Sequence, residues 1–449
     1  MKMKKMTKIS ALAMAVIMGM SLGSCGTAKT GTKEVEKTIC KTKETQQPKK
    51  NVTEEEKQAF ASGVNGFSYE LFEKMADGEN LVISPYSVAM AMSMVDVGAG
   101  GETKEALEKV LGINDLDSWN NSVNWYINRD FGENTKVLNA NSLWMEKDIA
   151  LSERAEEDFL QVLIDYYNAC VERRDLHTDD TRNAINQWAA EHTENMIPEM
   201  YNENIKEDVQ TILMNAIYFE GQWETAFDQD DTYEQEFVGK NKNVKVDMMH
   251  QYEESYRYAE CGELCAIELP YKDDTVVMDI IKRTPSDCGT GRLTTLEYWN
   301  QLTKKEKQEL FETISTSGYE TFSKITIPKF EMEWGKELND ALKQMGITSA
   351  FGENADFSKF SSDLCINSVF QKAKIIVDEA GTKAAAVTIV AVDKNTALPP
   401  EKLNIHIDFN RPFVYLIKEK NSDTIWFFGT VYEPLKWTNE SFGCLYEEN

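Results

Sequence analysis

Residues 377–398, V-D-E-A-G-T-K-A-A-A-V-T-I-V-A-V-D-K-N-T-A-L, constrain the fold more than any other stretch. The run opens on a valine, two acids, an alanine and a glycine, then continues through small and β-branched residues until Pro399-Pro400. Alternate positions from Thr382 are Thr382, Ala384, Ala386, Thr388, Val390 and Val392, none of them charged or large. The intervening set is Lys383, Ala385, Val387, Ile389, Ala391 and Asp393, charged only at its two ends. Such alternation marks a strand with one buried face. The second face is weakly polar, so the same run left exposed as a flat strand would invite aggregation. It is either a permanent interior strand or an exposed loop that becomes one, and the two alternatives imply different functions.

The rest of the chain has to supply a sheet that can receive it. With 449 residues, 42% hydrophobic and 10% aromatic, the chain can bury a large core. Its formal net charge is −27, and −31 without residues 1–24, which carry four lysines and no acid. So acidic a body repels nucleic acid and anionic membrane surfaces; it suits solubility or a basic partner.

The N-terminus reads as an export signal. Four lysines fall within residues 1–8, and residues 9–22 form an apolar run of fourteen. That is too short to span a membrane and right for a signal-peptide core. The run ends L-G-S-C, which resembles the lipobox of bacterial lipoproteins; the resemblance makes Cys25 the lipidated first residue of a surface-anchored chain, with plain secretion as the alternative. Residues 26–51 are rich in Lys, Thr, Glu and Gln and bury nothing, so 25–52 reads as a tether.

The eight cysteines are spread too widely for a disulfide framework. Cys261-x-x-x-Cys265 has no second pair or histidine couple to make a zinc site. With Cys25 modified, seven remain, so at least one thiol is expected to be free unless chains are cross-linked.

From Thr53 the periodicity changes. Thr53-Glu-Glu-Glu56 has the form of a capping box, followed by Phe60, Val64, Phe67, Leu71 and Met75 on one helical face. N-L-V-I-S-P-Y-S from Asn80 predicts a short strand, a turn at Ser84-Pro85 and a buried helix. A further helix restarts after Gly98, with Thr103 able to cap it. Residues 140–144 and 212–219 predict strands, the second central, and 151–169 and 182–193 predict helices. Strand signals dominate 243–281, a polar helix covers 295–313, and residues 325–333 predict a strand pair. A helix over 338–345, a strand over 370–377 and three closing strands complete the pattern. Helices cluster early and strands late, the α+β arrangement, in a single domain over 53–435 with a tail at 436–449.

Catalytic signatures are missing. The sequence contains no G-x-S-x-G, G-x-G-x-x-G, P-loop or H-E-x-x-H. Its four histidines, His177, His192, His250 and His406, have no motif partner and read as surface or structural. Neither an enzymatic activity nor a cofactor or metal is expected.

The opening stretch, D-E-A-G-T-K-A-A-A-V-T, resembles the hinge of inhibitory serpins: an acid, a glycine, a hydroxyl residue, then small residues. Further segments follow in that family's order. They include N-L-V-I-S-P-Y-S at Asn80, Ala140-Asn141-x-Leu143, Ile185-Asn186-x-Trp188 and Asn215-x-x-x-Phe219-x-Gly221-x-Trp223. Pro328-Lys329-Phe330, Ala355-Asp356-Phe357-Ser358, Asn410-Arg411-Pro412-Phe413 and Phe428-Gly429 complete them. The resemblance implies a large mixed sheet of five strands, surrounding helices and an exposed reactive loop. It implies a monomeric suicide substrate of serine, or also cysteine, endopeptidases. The target cleaves the loop and forms an acyl-enzyme, and the loop then inserts as a sixth strand, as in other strand-addition switches. Glu379, Gly381, Thr382, Ala384, Ala385, Ala386 and Thr388 then form the hinge, and Ser84, Ser87, Asn215, Trp223 and Gln371 the region where the sheet opens. Gln371 stands where the family commonly has a histidine, and Lys383 where it usually has an acid. Counting sixteen residues from Glu379 puts the scissile bond at Asn395–Thr396; Lys394–Asn395 and Thr396–Ala397 are the alternatives, because the segment after Pro400 is longer than usual. A non-inhibitory binding or carrier module is the other reading; Ala384-Ala385-Ala386 argue against it.

Overall fold

The computed structural model describes residues 38–39, 51–155, 159–202, 204–207, 209–284, 294–352, 354–361, 365–382 and 405–434. The chain divides into two units, Met1–Glu36, none of whose residues is described, and Lys37–Asn449, to which everything below refers.

In chain order the described elements begin with β1 (Thr38–Ile39), α1 (Glu54–Met75), β2 (Leu81–Ile83), α2 (Pro85–Gly98), α3 (Gly101–Leu111) and α4 (Leu116–Asn128). Next come β3 (Thr135–Glu146), α5 (Gln161–Tyr167), β4 (Cys170–Arg174), α6 (Asp179–His192) and β5 (Thr211–Gln222). Five strands follow: β6 (Tyr233–Val238), β7 (Asn243–Gln251), β8 (Glu254–Cys261), β9 (Leu264–Pro270) and β10 (Val276–Arg283). Then come α7 (Thr295–Trp299), α8 (Lys304–Thr316), β11 (Tyr319–Pro328), β12 (Phe330–Glu337) and α9 (Asn339–Met345). The last are β13 (Ser368–Val377), β14 (Gly381–Thr382), β15 (Ile405–Asp408), β16 (Phe413–Glu419) and β17 (Ile425–Val431).

Local chemistry sets many of these boundaries. The capping box at the start of α1 forms in both directions: Thr53 Oγ1 accepts from the Glu56 N–H and Glu56 Oε2 from the Thr53 N–H at 2.8 Å. Ser84 caps α2, Pro85 opens it, and every residue of that helix is buried. The expected cap at Thr103 is not used. α3 starts at Gly101 behind Gly100, where a Cβ would lie 2.7 Å from Asp356 Oδ2, and Thr103 Oγ1 accepts from the Asp356 N–H instead of capping the helix. The polar run 295–313 is two helices rather than one. Thr294-x-x-Glu297 and Thr303-x-x-Glu306 each form a complete capping box, so the chain carries two helix starts nine residues apart.

The strands form two sheets. One has the order β1-β4-β3-β5-β14-β13-β12; the other runs β2-β17-β16-β10-β9-β8-β11-β7-β6, with β15 alongside β11. The five expected strands of the first sheet are β4, β3, β5, β13 and β12. Two short ones are added: Thr38–Ile39, from the stretch read as a tether, and Gly381–Thr382, from the stretch read as an exposed loop. β5 is buried on both faces. Leu213, Ile217 and Phe219 enter the main core with α1, α2 and the second sheet; Ile212, Met214 and Ala216 pack with Trp188 and Ile185 of α6. Burying both faces explains its nearly continuous apolar run.

Candidate functional site

Two groups of residues meet at the junction of β5 and β13. The first is a buried polar cluster beneath the sheet. Gln371 and Asn215 stand opposite each other on the parallel strands. Gln371 Nε2 donates to the Ser84 carbonyl at 2.7 Å and its Oε1 accepts from the Ser84 N–H at 3.2 Å. Ser84 Oγ accepts from the Ser87 N–H, and the Ser87 hydroxyl donates to Asn215 Oδ1. Asn215 Nδ2 donates to Asn139 Oδ1 at 2.7 Å and to Asn141 Oδ1 at 2.6 Å. Ser84, Ser87, Asn215 and Gln371 are all buried. This chain of hydrogen bonds joins α2 to three adjacent strands, and buried polar groups of this kind are costly to leave unpaired.

The second group is a latch at the far end of the same seam. β13 turns through residues 378–380 and the chain comes back as β14, antiparallel to both neighbours. Asp378 Oδ1 accepts from the Ala380 and Gly381 N–H groups at 2.9 and 3.2 Å, and the Asp378 N–H donates to the Gly381 carbonyl. Burial raises the Asp378 carboxyl above its ordinary range, against the two backbone donors that pull it down. The segment after β5 grips this turn. Trp223 Nε1 donates to the Asp378 carbonyl, the Trp223 N–H to the Ala380 carbonyl and the Phe227 N–H to the Glu379 carbonyl. Tyr271 stacks on Trp223 at 4.6 Å between ring centres, and its hydroxyl lies 2.6 Å from Thr382 Oγ1. Burial pushes the Tyr271 phenol far above its ordinary value, so it stays a neutral hydrogen-bonding group. Lys329 Nζ reaches Glu379 Oε2 at 2.9 Å, with both side chains largely buried.

Gly381 fits for a steric reason: a Cβ there would stand 2.0 Å from the Gly221 carbonyl oxygen. The backbone of β14 therefore lies against β5 as closely as it does because that residue has no side chain.

Between cluster and latch the two strands separate. The direct ladder of β5 and β13 runs from Ile212 and Ser368 to Ala216 and Lys372. Pairing resumes through β14, at Gly221, Gln222 and Val377. Residues 217–220 and 373–376 lie in between. Tyr218 and Ile376 pack together there with Met196, on the face away from the main core.

The structure thus brings Ser84, Ser87, Asn215 and Gln371 into one cluster, and Trp223, Glu379, Gly381 and Thr382 into one latch. Ala384, Ala385, Ala386, Thr388, Lys394, Asn395, Thr396 and Cys25 lie outside the described residues. Sequence reasoning assigned no part in the site to Tyr271, Lys329, Asn139, Asn141 or Phe227. The one available signal was the buried acid Glu379, which demands a nearby cation; Tyr271 and Asn139 carry no marker in the chain. His250 is buried in the second sheet against Thr326 and takes no part. Among the described residues no group of three or more His, Cys, Asp or Glu side chains is placed to hold a metal.

Comparison with known proteins agrees with this architecture. The family model for "Serpin (serine protease inhibitor)" matches residues 62–434. An uncharacterized serpin-like protein of Methanosarcina mazei is 31% identical over 389 residues, 84% of this chain and 87% of its own. The native-state crystal structure of Tengpin, a thermophilic serpin, superposes with a TM-score of 0.73 at 30% identity, covering 86% of this chain and 95% of Tengpin. Human thyroxine-binding globulin in complex with thyroxine superposes with a TM-score of 0.72 at 23% identity, covering 85% and 100%, which is a likeness of fold alone. Serpins are generally protease inhibitors rather than catalysts. The match over most of the chain, with an α+β fold around a large mixed sheet, establishes that this chain belongs to the serpin family.

Proposed function

We propose that the chain is an irreversible suicide-substrate inhibitor of serine endopeptidases, and that residues 383–391 insert between β5 and β13 after cleavage of the loop. The observation that carries this reading is the register of β14. Continued residue by residue along β5 and along β13, the two registers reach Ala391 opposite Ile212 on one side and Ser368 on the other. Ile212 and Ser368 are partners in the present ladder. A single inserted strand therefore satisfies both neighbours with no slip.

The same registers assign each inserted residue its surroundings. Ala384 comes opposite Phe219 and Ile375, Ala386 opposite Ile217 and Ala373, and Thr388 opposite Asn215 and Gln371. Those six partners are core-facing, or belong to the polar cluster. Small residues and one hydroxyl enter with little steric or desolvation cost, and the hydroxyl arrives where hydrogen-bonding groups already stand. Lys383 comes opposite Glu220 on the other face, so its replacement of the family's usual acid gains an opposite charge across the ladder.

In the reaction the target's serine oxygen attacks the carbonyl carbon of the scissile residue, Asn395 or a neighbour. The amide bond breaks, the serine proton leaves with the new amine of the following residue, and an ester joins protease to inhibitor. Insertion drags the ester across the molecule before water reaches it. Attachment to a membrane through lipidated Cys25, which would display the inhibitor at a cell surface, belongs to the same proposal.

The test is a panel of trypsin-like, elastase-like and subtilisin-like proteases, scored for SDS-resistant complexes and for the mass of the released C-terminal fragment. A complex with a fragment starting between residues 395 and 397 is the expected result. Cleavage without any complex across the panel, and a melting temperature unchanged by cleavage, would instead favour the carrier reading.

A further inference from the structure

We propose that Glu268 and Asp279 hold one proton between them in the folded chain, and that this proton clasps the C-terminal end of α8 and the β16–β17 turn onto the second sheet. Glu268 on β9 and Asp279 on β10 are directly opposed in the antiparallel ladder, and Arg257 on β8 is opposed to Glu268 in turn. Directly opposed residues have Cβ atoms about 4.5–5.5 Å apart, and like charges there repel. Both acids are buried, so water does little to screen them.

Lys418 on β16, buried as well, closes the cluster. Its Nζ lies 2.9 Å from Asp279 Oδ2, 2.9 Å from Asp423 Oδ1 in the β16–β17 turn and 4.0 Å from Glu268 Oε2. Arg257 Nε stands 3.3 Å from Glu268 Oε1. The end of α8 covers these groups. Lys418 Nζ donates to Ser315 Oγ at 3.0 Å, and the Ser315 hydroxyl donates to Asp423 Oδ1 at 3.0 Å. Arg257 Nη1 donates to the Ser315 and Ser317 carbonyls at 2.7 and 2.8 Å. From α1, Asn65 holds the turn through the Asp423 carbonyl and the Ile425 N–H. Tyr69 of α1 lies near Asp423, Asp279 and Glu312 of α8, and burial keeps its phenol neutral. Lys420, just beyond β16, also acts on Glu268, but its ammonium is bound to Asp274.

Charge and hydrogen bonding both call for the proton. Without it, the carboxylates of Glu268, Asp279 and Asp423 would face only two cations, Arg257 and Lys418. One proton on the opposed pair makes the balance even. It also supplies a donor beside Asp279 Oδ1, which is buried with no hydrogen-bond partner among the described residues. Burial, and then the Asp279 charge, raise the Glu268 carboxyl to about 7 against the pull of Lys418 and Arg257. Burial raises Asp279 too, against Lys418. The proton belongs to the pair rather than to either residue.

Lifting the end of α8 wets the pair, and the proton then leaves to water, because a solvated Glu268 returns to its ordinary 4.5. Between pH 4.5 and about 7 the closed state binds the proton and the open state does not. The clasp is therefore tightest below pH 4.5, loosens as pH rises, and changes no further above about 7.

Amide exchange in the full chain reads the clasp, taken as the ratio of intrinsic to observed rate at each pH. From pH 4.5 to 7 the protection of the last turn of α8 and of the Ile425 amide should fall by about tenfold or more. In Glu268→Gln, neutral at every pH, it should stay level; Asp279→Asn, which removes the opposed charge, should do the same. Constant protection in the parent, or a fall as steep as the parent's in either variant, overturns the proposal. Infrared difference spectra between the parent and Glu268→Gln read the proton itself. A protonated carboxyl band should be present near pH 4.5 and gone well above pH 7, while the signal of Asp96, raised to about 6, is common to both proteins and cancels. No such band in the difference means that both acids are ionised throughout, and overturns the shared proton.

Discussion

At the residue scale the consequences of single side chains differ in kind. Gln371 meets both backbone groups of Ser84, so Gln371→Leu leaves a buried N–H and a buried C=O without that partner. The expected loss is about 1–3 kcal/mol, read as a lower urea midpoint at unchanged slope; a midpoint within error of the parent would contradict the role given to the cluster. Gly381→Ala acts by contact instead. Its new Cβ meets the Gly221 carbonyl, backbone against backbone, and neither can yield cheaply. An overpacking cost of about 1–3 kcal/mol opens the latch, and the amides of Trp223 and Phe227, which donate into it, exchange faster. His250 titrates. Burial lowers its pKa from 6.5 to about 4, so the folded state holds the neutral imidazole while the unfolded chain takes up a proton below about 6.5. Its contribution is complete above pH 6.5 and is lost as pH falls toward 4. Buried Asp96 and Glu268, raised to about 6 and about 7, act in the opposite sense, since they are protonated in the fold while ionised in the unfolded chain. The clean measurement is therefore a difference: His250→Asn should lose less stability than the parent between pH 6.5 and 4, and parallel curves would refute the assignment.

At the scale of elements the seam between β5 and β13 carries the argument. Its ladder stops at Ala216 and Lys372 and resumes through β14 at Gly221 and Val377. Filling the seam adds hydrogen-bonded partners on both sides, so the alternate amides of residues 217–220 and 373–376 that face the gap, rather than β3 or β12, should gain exchange protection once the loop is cut. Unchanged protection in the cleaved protein would show that the loop stays outside. Position 384 is the sharpest probe, because the register sets it between Phe219 and Ile375 on the core side. Ala384→Arg would bury an unpaired charge, which costs several kcal/mol. Since about 1.4 kcal/mol is a factor of ten in partition, the variant should be cleaved as a substrate with SDS-resistant complex reduced by about tenfold or more. Complex at the parent's yield would remove the case for insertion there. The hinge glycine was visible in the chain because its neighbours are small and the pattern has a period. The latch partners were not, since Tyr271, just after β9, and Lys329, between β11 and β12, reach Thr382 and Glu379 from 111 and 50 residues away in sequence.

For the molecule as a whole, the proposed insertion predicts that the protein melts at a markedly higher temperature once its loop is cut, because the domain would then gain a core strand. A stretch of alternating small residues, the capping box at Thr53 and a central apolar run were enough to read an α+β domain, because helix caps and strand alternation act over a few residues. The same local rules wrongly merged α7 with α8 and placed a cap at Thr103, where the competing contact comes from Asp356, some 250 residues on. They also read residues 26–51 as tether throughout, since the partner of Thr38–Ile39 lies on β4. What the sequence determined by itself is the set of residues able to be an inserted strand: small on one face, uncharged in the middle, bounded by a glycine and two prolines. What only the tertiary structure decided is where that strand would go. A gap between β5 and β13, its register and the polar groups that line it are made by residues distant in the chain, and no local pattern encodes a distance between them.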